Sequence, residues 1–410
     1  MGGAAVIMLK MAFRNVGRQR RRTILTGLTI FGGFTLAVIF IGWADGSYNN
    51  IIDEFTRNRL GHIQIHERTY LDRPSLYKTI NDLPAVGGIL DGTKGVESWA
   101  PRVYAAALAA VGEKSMGVQI VGIDPGREGK TTHFERKIVQ GREMGRPGGR
   151  EAVIGRGLAD ILKAGPGTEL VLVTQAADGS IAENLFTVTG LASSGDDLAD
   201  RATVYLNLSD AQYFLVLPGR VHEVAVTVNK LARVPAIARD ISQRLKDPKL
   251  AVEPWQVFAR AFYEAMMADK AGMWVMLVVI VIIVAVGVLN TVLMSVLERR
   301  REYGLLKAVG TRPGQVIRLV LLEVLLLALA AVIIGSGVGF GANSFLASHG
   351  IKFSEDLTYG GMKFGTMRGE INLRSFLIPL ITVIVTALLV SLVPALRAGR
   401  TDPAESMRQH

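Results

Sequence analysis

Four long apolar runs break an otherwise mixed sequence. Thr23–Trp43 and Phe376–Leu396 each run without a charge, as does the longer Met273–Leu297, while Leu319–Phe340 carries a single carboxylate, Glu323. About 20 apolar residues suffice for a helix to cross the hydrocarbon of a bilayer. Lipid offers the backbone no hydrogen bonds, so each run predicts a transmembrane helix. The spans are placed at 23–43, 273–297, 319–340 and 376–396. Between the first two lies a long segment, 44–272, whose pattern is different. It opens on Tyr48, Ile51, Ile52 and Phe55, and closes on Trp255, Phe258, Phe262, Ala265, Met266 and Met273, both at helical spacing. These predict two helical stalks that prolong the spans. Strands are predicted at His62–Ile65, Gly117–Ile123 and Val224–Val228 from period-two alternation, and at Val153-Ile154 and Leu170–Val173 from short apolar runs. Gly157–Lys163 and Pro235–Leu245 read as helices, and Gly145–Gly149 and Gly165–Gly167 as turns. The fold class is therefore a four-helix membrane protein with an α+β domain inserted between the first and second spans. A central lobe, about 110–215, is expected inside a lobe built from both flanks.

Charge fixes the orientation. The chain is 49% hydrophobic, has a net charge of +10 and contains no cysteine. Residues 1–22 carry Lys10, Arg14, Arg18, Arg20, Arg21 and Arg22 and no acid. In 298–318, Arg299, Arg300, Arg301, Lys307, Arg312 and Arg318 outnumber Glu298 and Glu302, and the tail 397–410 adds Arg397, Arg400 and Arg408 against Asp402 and Glu405. Basic residues thus flank alternate ends of the spans, as positive-inside insertion requires. This predicts a multi-pass protein of the bacterial inner membrane with both termini and 298–318 in the cytoplasm. Segments 44–272 and 341–375 are expected outside. Residues 1–22 are expected to form an amphipathic entry helix. Membrane flanks account for the basicity, so no nucleic-acid partner is expected, and membrane lipids are. The first run is longer than a signal-peptide core, and Trp43-Ala44-Asp45 is a poor cleavage site, so it is expected to remain as an anchor.

The most specific segment is Glu298–Gly310. Its arginine-rich start, small apolar face and glycine stop, followed by Thr311-Arg312-Pro313-Gly314, describe a short helix, a break and a new helix. Here the chain resembles the FtsX/MacB-type permeases of type VII ABC transporters, whose second span is followed by E-R-R-x-E-x-G-x-x-[KR]-A-x-G. The pattern falls on Glu298, Arg299, Arg300, Glu302, Gly304, Lys307, Ala308 and Gly310, with Leu305 on the same helix. The closing run Pro394–Glu405 and the opening Leu9–Val16, with its L-x-x-A-x-R-N, match the family's tail and entry helix. Gly61-His62-Ile63-Gln64-Ile65 is similar to a strand of the lipoprotein-releasing, LolC/LolE-like branch.

The resemblance implies a permease subunit without catalytic residues. Its 298–310 coupling helix docks on a dimer of cytoplasmic ATPase chains that bind ATP and Mg, and a second permease copy or paralogue pairs with it. It implies mechanotransmission, with motion carried along the stalks to the outer domain. Lipoprotein release is the expected task, given the strand match and the lack of an ATPase in the sequence. A groove is then expected between apolar stalk faces, at Ile51, Ile52, Phe55, Phe258 and Phe262. Efflux with a periplasmic adaptor, or signalling to wall hydrolases or from antimicrobial peptides, are the alternatives.

Other motifs weigh less. Asp124–Thr131 ends like a phosphate-binding loop, but Asp124 stands where that loop needs glycine, so no nucleotide site is expected. Glu323 is expected to pair with Arg318 or Arg397 near the membrane edge, or to help seat the coupling segment. Gly335/Gly339 and Gly337/Gly341 form two small-xxx-small registers, for packing inside the chain or between permeases. His62 and His66 have no third ligand nearby, so no metal site is expected.

Overall fold

The computed structural model describes residues 2–18, 20–359 and 362–402. Pro403, Ala404 and Glu405 of the closing motif, and Arg408, lie outside the described residues. The chain divides into two compact units. One combines the residues up to Tyr48 with Met267–Lys352 and those from Thr366 onward; the other is Asn49–Met266 with Phe353–Gly365.

Helix α1 (Gly2–Arg18) is followed by α2 (Arg20–Phe55), whose 36 residues rise about 54 Å, far more than the roughly 30 Å of hydrocarbon. The excess is the first stalk. A π turn, Thr56–Leu60, then stops at Gly61, whose φ of 78° suits glycine. The inserted domain continues in chain order with β1 (Ile63–Glu67), α3 (Leu83–Asp91), β2 (Val96–Val111), β3 (Lys114–Ile123), α4 (Pro125–Thr132) and β4 (Ile138–Gly141). Next come β5 (Glu151–Gly155), α5 (Arg156–Leu162), β6 (Glu169–Gln175), β7 (Ile181–Ala192), α6 (Asp197–Asp200) and β8 (Thr203–Asn207). It ends with α7 (Leu208–Phe214), β9 (Glu223–Val228), α8 (Val234–Leu245), β10 (Leu250–Pro254) and α9 (Trp255–Phe258).

All ten strands share one sheet, in the order β10-β1-β9-β2-β3-β8-β5-β7-β4, with β6 pairing to both β7 and β2. The pairings β2–β3, β3–β8, β8–β5, β5–β7, β7–β6 and β6–β2 close a six-stranded ring. Ile120, Ala152, Ile154, Leu170, Leu172, Val188, Val204 and Leu206 are fully buried. They fall in register across the ring, so one face of it is a continuous apolar core. Strands β9, β1 and β10 extend from the other end of β2. The sixteen-residue β2 thus belongs to both parts, so the central and flanking regions share one hydrogen-bonded sheet.

Among the described residues, four helices are long and apolar enough to cross a membrane: α2, α10 (Arg260–Glu298), α12 (Pro313–His349) and α13 (Leu373–Arg400). The short α11 (Arg300–Ala308) stands between α10 and α12. Within the membrane unit, Ile30, Phe34 and Val38 of α2 meet Val284, Val288, Val292 and Val296 of α10, with Val320, Val324, Val383 and Ala387 completing the core. Two features differ from the sequence reading of the third span and the loop after it. Helix α12 does not end at 340 but runs on to His349, where Gly350 at φ 66° stops it. The expected loop then holds a hairpin, β11 (Ile351–Tyr359) and β12 (Met362–Met367). Polar helix-compatible residues beyond 340 hid the first.

Candidate functional site

The segment 298–310 forms a nine-residue helix with a defined stop. Thr311 N–H donates to the Leu306 carbonyl at 3.0 Å and Gly310 N–H to the Lys307 carbonyl at 3.0 Å, with Gly310 at φ 104°. This pair of bonds is a Schellman motif, which satisfies carbonyls that a helix end leaves open. Arg312 N–H then donates to the Gln315 side chain at 2.8 Å and α12 begins.

The helix has two unlike faces. Tyr303 and Gly304 are buried, and the Lys307 ammonium donates to the carbonyls of Gly399 (3.1 Å) and Thr401 (2.7 Å) at the end of α13. On the other side Arg301, Leu305, Ala308 and Val309 follow one another at i, i+4, i+7 and i+8 and are all exposed. Leu305 is 50% exposed and Val309 85%. The residues expected to couple are therefore divided: Arg299, Glu302, Gly304 and Lys307 hold the helix to the bundle, and Leu305 and Ala308 face away from it.

Arg299 is the centre of the inward set. Its guanidinium donates to Glu302 at 2.9 Å and to Glu323 at 2.8 Å, and lies 5.1 Å from the Tyr303 ring centroid. The other Glu323 oxygen accepts from the Asn15 amide at 2.6 Å. Glu302 also pairs with Arg18, and Glu298 with Arg22. Asn15 and Arg18 both lie on α1, so the polar chain Arg18–Glu302–Arg299–Glu323–Asn15 leaves α1, crosses α11 and α12, and returns to α1. Glu323 holds the 298–310 segment through Arg299, and not through the expected Arg318 or Arg397. The sequence offered Arg18, Arg22 and Arg301 only as basic flanks and Asn15 only as part of the entry-helix motif, and Tyr303 and Val309 were not singled out. The i, i+4, i+7, i+8 spacing within 301–309 was the signal available for the exposed stripe.

The other candidates separate equally clearly. A Cβ at Gly335 would lie 2.7 Å from Phe34, and one at Gly339 2.7 Å from Val38, so this register is the α2 contact. Cβ atoms at Gly337 and Gly341 would meet no protein atom within 4 Å. In the stalks, Ile51, Ile52 and Phe262 are buried, and the Phe55 ring stacks on that of Phe262 at 3.8 Å. Trp255 meets Phe262 edge-on at 6.0 Å. The expected open groove between stalk faces is filled by these side chains, leaving Phe258 half-buried beside them. The stalks are also joined at their roots. Strand β1 pairs with β10 from Ile63↔Pro254 to Glu67↔Leu250, and Trp255 N–H donates to the His62 carbonyl at 3.0 Å.

His62 accepts from Val228 N–H at 2.9 Å and contacts Asp53 at 3.1 Å, while His66 contacts the Glu67 carbonyl at 2.9 Å. No metal-binding cluster occurs among the described residues. Asp124 caps α4 by accepting from Arg127 N–H at 3.1 Å, so the phosphate-loop look-alike is a helix start.

Two family models match the chain. Residues 23–244 match the MacB-like periplasmic core domain, and residues 274–403 the FtsX-like permease C-terminal region. Among curated proteins, the lipoprotein-releasing system transmembrane protein LolC of Neisseria meningitidis is 23% identical over 94% of both chains. The macrolide export ATP-binding/permease protein MacB 2 of Aeromonas hydrophila is 24% identical over 97% of this chain and 60% of its own length. The periplasmic region of MacB from Actinobacillus actinomycetemcomitans aligns with 49% of this chain and 92% of its own, at 14% identity and a TM-score of 0.37. The first model alone covers more than half of the residues and the second takes in three of the four spans, so this chain belongs to the FtsX/MacB-type permeases of ABC transporters, multi-pass inner-membrane proteins with a periplasmic domain.

Proposed function

We propose that this chain converts ATP hydrolysis by separate ATPase subunits into movement of its periplasmic domain, and that the cargo is a lipoprotein released from the inner membrane. The two-faced helix α11 carries the reading. Its outward stripe, Arg301, Leu305, Ala308 and Val309, offers apolar contact to an ATPase, and its inward set transmits displacement to α12 and α13. Both termini and 298–318 lie in the cytoplasm, in keeping with the basic flanks. ATP and Mg bind to the ATPase chains, and this chain performs no chemistry. Displacement leaves through α2 and α10, which contribute residues to both units. Two permease copies, identical or related, pair in the working complex. Because Phe55, Phe262 and Trp255 already fill the space between the stalks of one chain, the cargo groove forms between two permeases.

The lipoprotein reading rests on similarity to LolC along nearly the whole chain. Export through an adaptor is the second reading, favoured by the match to MacB 2. Mass spectrometry of what co-purifies with the tagged chain in mild detergent separates them. An ATPase with acylated lipoproteins is the expected result, and an ATPase with an adaptor moves the assignment to export. Absence of any ATPase overturns the coupling proposal. In the same preparation, Leu305→Asp with Val309→Asp should abolish ATPase co-purification. Folding should be nearly unaffected, since exposed substitutions change stability by about 0.5 kcal/mol or less.

A further inference from the structure

Arg318 is left over by the network around Glu323. Both Glu323 oxygens are taken, one by Arg299 at 2.8 Å and the other by Asn15 at 2.6 Å. The Arg318 side chain is exposed and makes no ion pair or hydrogen bond with the described residues.

Arg318 is one of the residues that line an apolar groove of about 690 Å³. Leu321, Leu322 and Leu325 follow it along α12 at i+3, i+4 and i+7, so the four share one face of that helix. Leu388 and Leu392, one turn apart on α13, belong to a second wall. Met8 and Leu9 of α1 line a third side, and α1 is itself held in place by Asn15 on Glu323 and Arg18 on Glu302. Among the described residues Arg318 is the single charged side chain in this lining, and no acid joins it. From Arg318 to Leu325 the helix rises about 10 Å. The groove therefore has a cation at one end and leucine along its length.

That is the complement of an amphiphile with a negative head. Arg318 precedes the apolar run 319–340, at the level where lipid headgroups begin and on the side where the basic flanks gather. A bilayer brings acyl chains to this surface in any case. What the groove adds is an unpartnered guanidinium, which can bond a phosphate through two N–H groups. With no acid in the lining to offset it, Arg318 favours a lipid of net negative charge over a zwitterionic one, whose own ammonium competes for the phosphate. We propose that the groove binds one anionic phospholipid, with an acyl chain along the leucines and its phosphate on Arg318. The lipid fills the space beside α1, the helix that carries Asn15 and Arg18, and so steadies the polar chain behind α11.

Native mass spectrometry of the full chain in detergent tests this, with phosphatidylglycerol and phosphatidylcholine of the same acyl chains as probes. One phosphatidylglycerol per chain should bind saturably and about fivefold more tightly than phosphatidylcholine, the effect of one basic residue near an anionic membrane surface. Arg318→Gln should remove this preference and leave phosphatidylcholine binding unchanged, while Arg318→Lys should keep most of it. Leu322→Trp, which fills the groove, should weaken the binding of both lipids. Equal binding of the two lipids by the unmodified chain, as a bulk annulus gives, overturns the proposal. So does a preference that survives Arg318→Gln. If neither lipid binds and Leu322→Trp converts a dimer to a monomer in the same spectra, a second copy of the chain occupies the groove and the proposal is again overturned. Neither ATPase nor lipoprotein enters the measurement, so its failure would leave the transport reading intact.

Discussion

Arg299 and Glu323 stand 24 residues apart in the sequence and 2.8 Å apart in the structure. Both side chains are largely buried, at 7% and 14% exposure, so removing one partner strands the other. Glu323→Gln should therefore destabilise the membrane unit by about 3 kcal/mol, seen as a lower thermal midpoint in detergent. The exposed Arg318→Gln should leave the midpoint nearly unchanged. Equal effects of the two would rule out the pairing described here. The sequence showed that Glu323 needed a cation but not which one. Arg318 lies five positions away, whereas Arg299 is brought in by the fold of α11, which residue spacing does not encode. Lys137 gives a pH prediction. Burial pushes its ammonium down to about 8 from an ordinary 10.5. The unfolded chain then binds more protons between those values, so Lys137 should contribute stability that rises with pH from about 8 to 10, above which Tyr70, Tyr104 and Tyr205, held protonated by burial, oppose it. The rise between about 8 and 10 should be lost in Lys137→Met, read from thermal midpoints across that range.

At the scale of elements, the stop after α11 depends on a backbone conformation that side chains disfavour. Gly310→Ala meets no neighbouring atom, so its effect is conformational, about 1–2 kcal/mol. It should lower ATPase stimulation by loosening the angle between α11 and α12, with little loss of ATPase binding. Unchanged stimulation would show that this angle transmits nothing. The two glycine registers of α12 make a paired test. Gly335→Leu should disrupt packing on Phe34 and reduce the folded yield, whereas Gly337→Leu should fold normally. If Gly337→Leu instead shifts the permease from dimer to monomer in size-exclusion chromatography with light scattering, its register is the contact between copies. The four spans were legible because hydrocarbon imposes a length and a composition. Strands β1, β3, β5, β6 and β9 were legible from alternation or apolar runs. The hairpin β11–β12 was not, although its strands, of nine and six residues, are no shorter than β1 and β9.

Across the whole molecule, the closure of β6 onto β2 could not be read from the sequence. Leu108↔Val173 is a long-range pairing, and no local pattern names a strand's distant neighbour. The same holds for β1 and β10, which fasten the two stalks together. A consequence is that the stalks of one chain should move as one body. The sequence contains no cysteine, so Phe55→Cys with Phe262→Cys provides a unique pair for a short bis-maleimide. Linking them should leave ATP-driven transport in proteoliposomes intact; loss of transport on linking would mean that the stalks separate during the cycle.

The β1–β10 ladder also decides how replaceable the periplasmic domain is. The chain enters the domain at Ile63 and leaves it at Pro254, and these residues face each other across an antiparallel pair, where Cα atoms lie about 5 Å apart. Entry and exit points this close make the domain a cassette. Two or three small residues in its place would rejoin the polypeptide with little change to the helices on either side. Conversely, residues 63–254 carry their own closed ring of strands and are a natural unit to graft. One membrane base can in this way be fitted with different heads, and a family built on this plan can exchange the insert while keeping its four membrane helices.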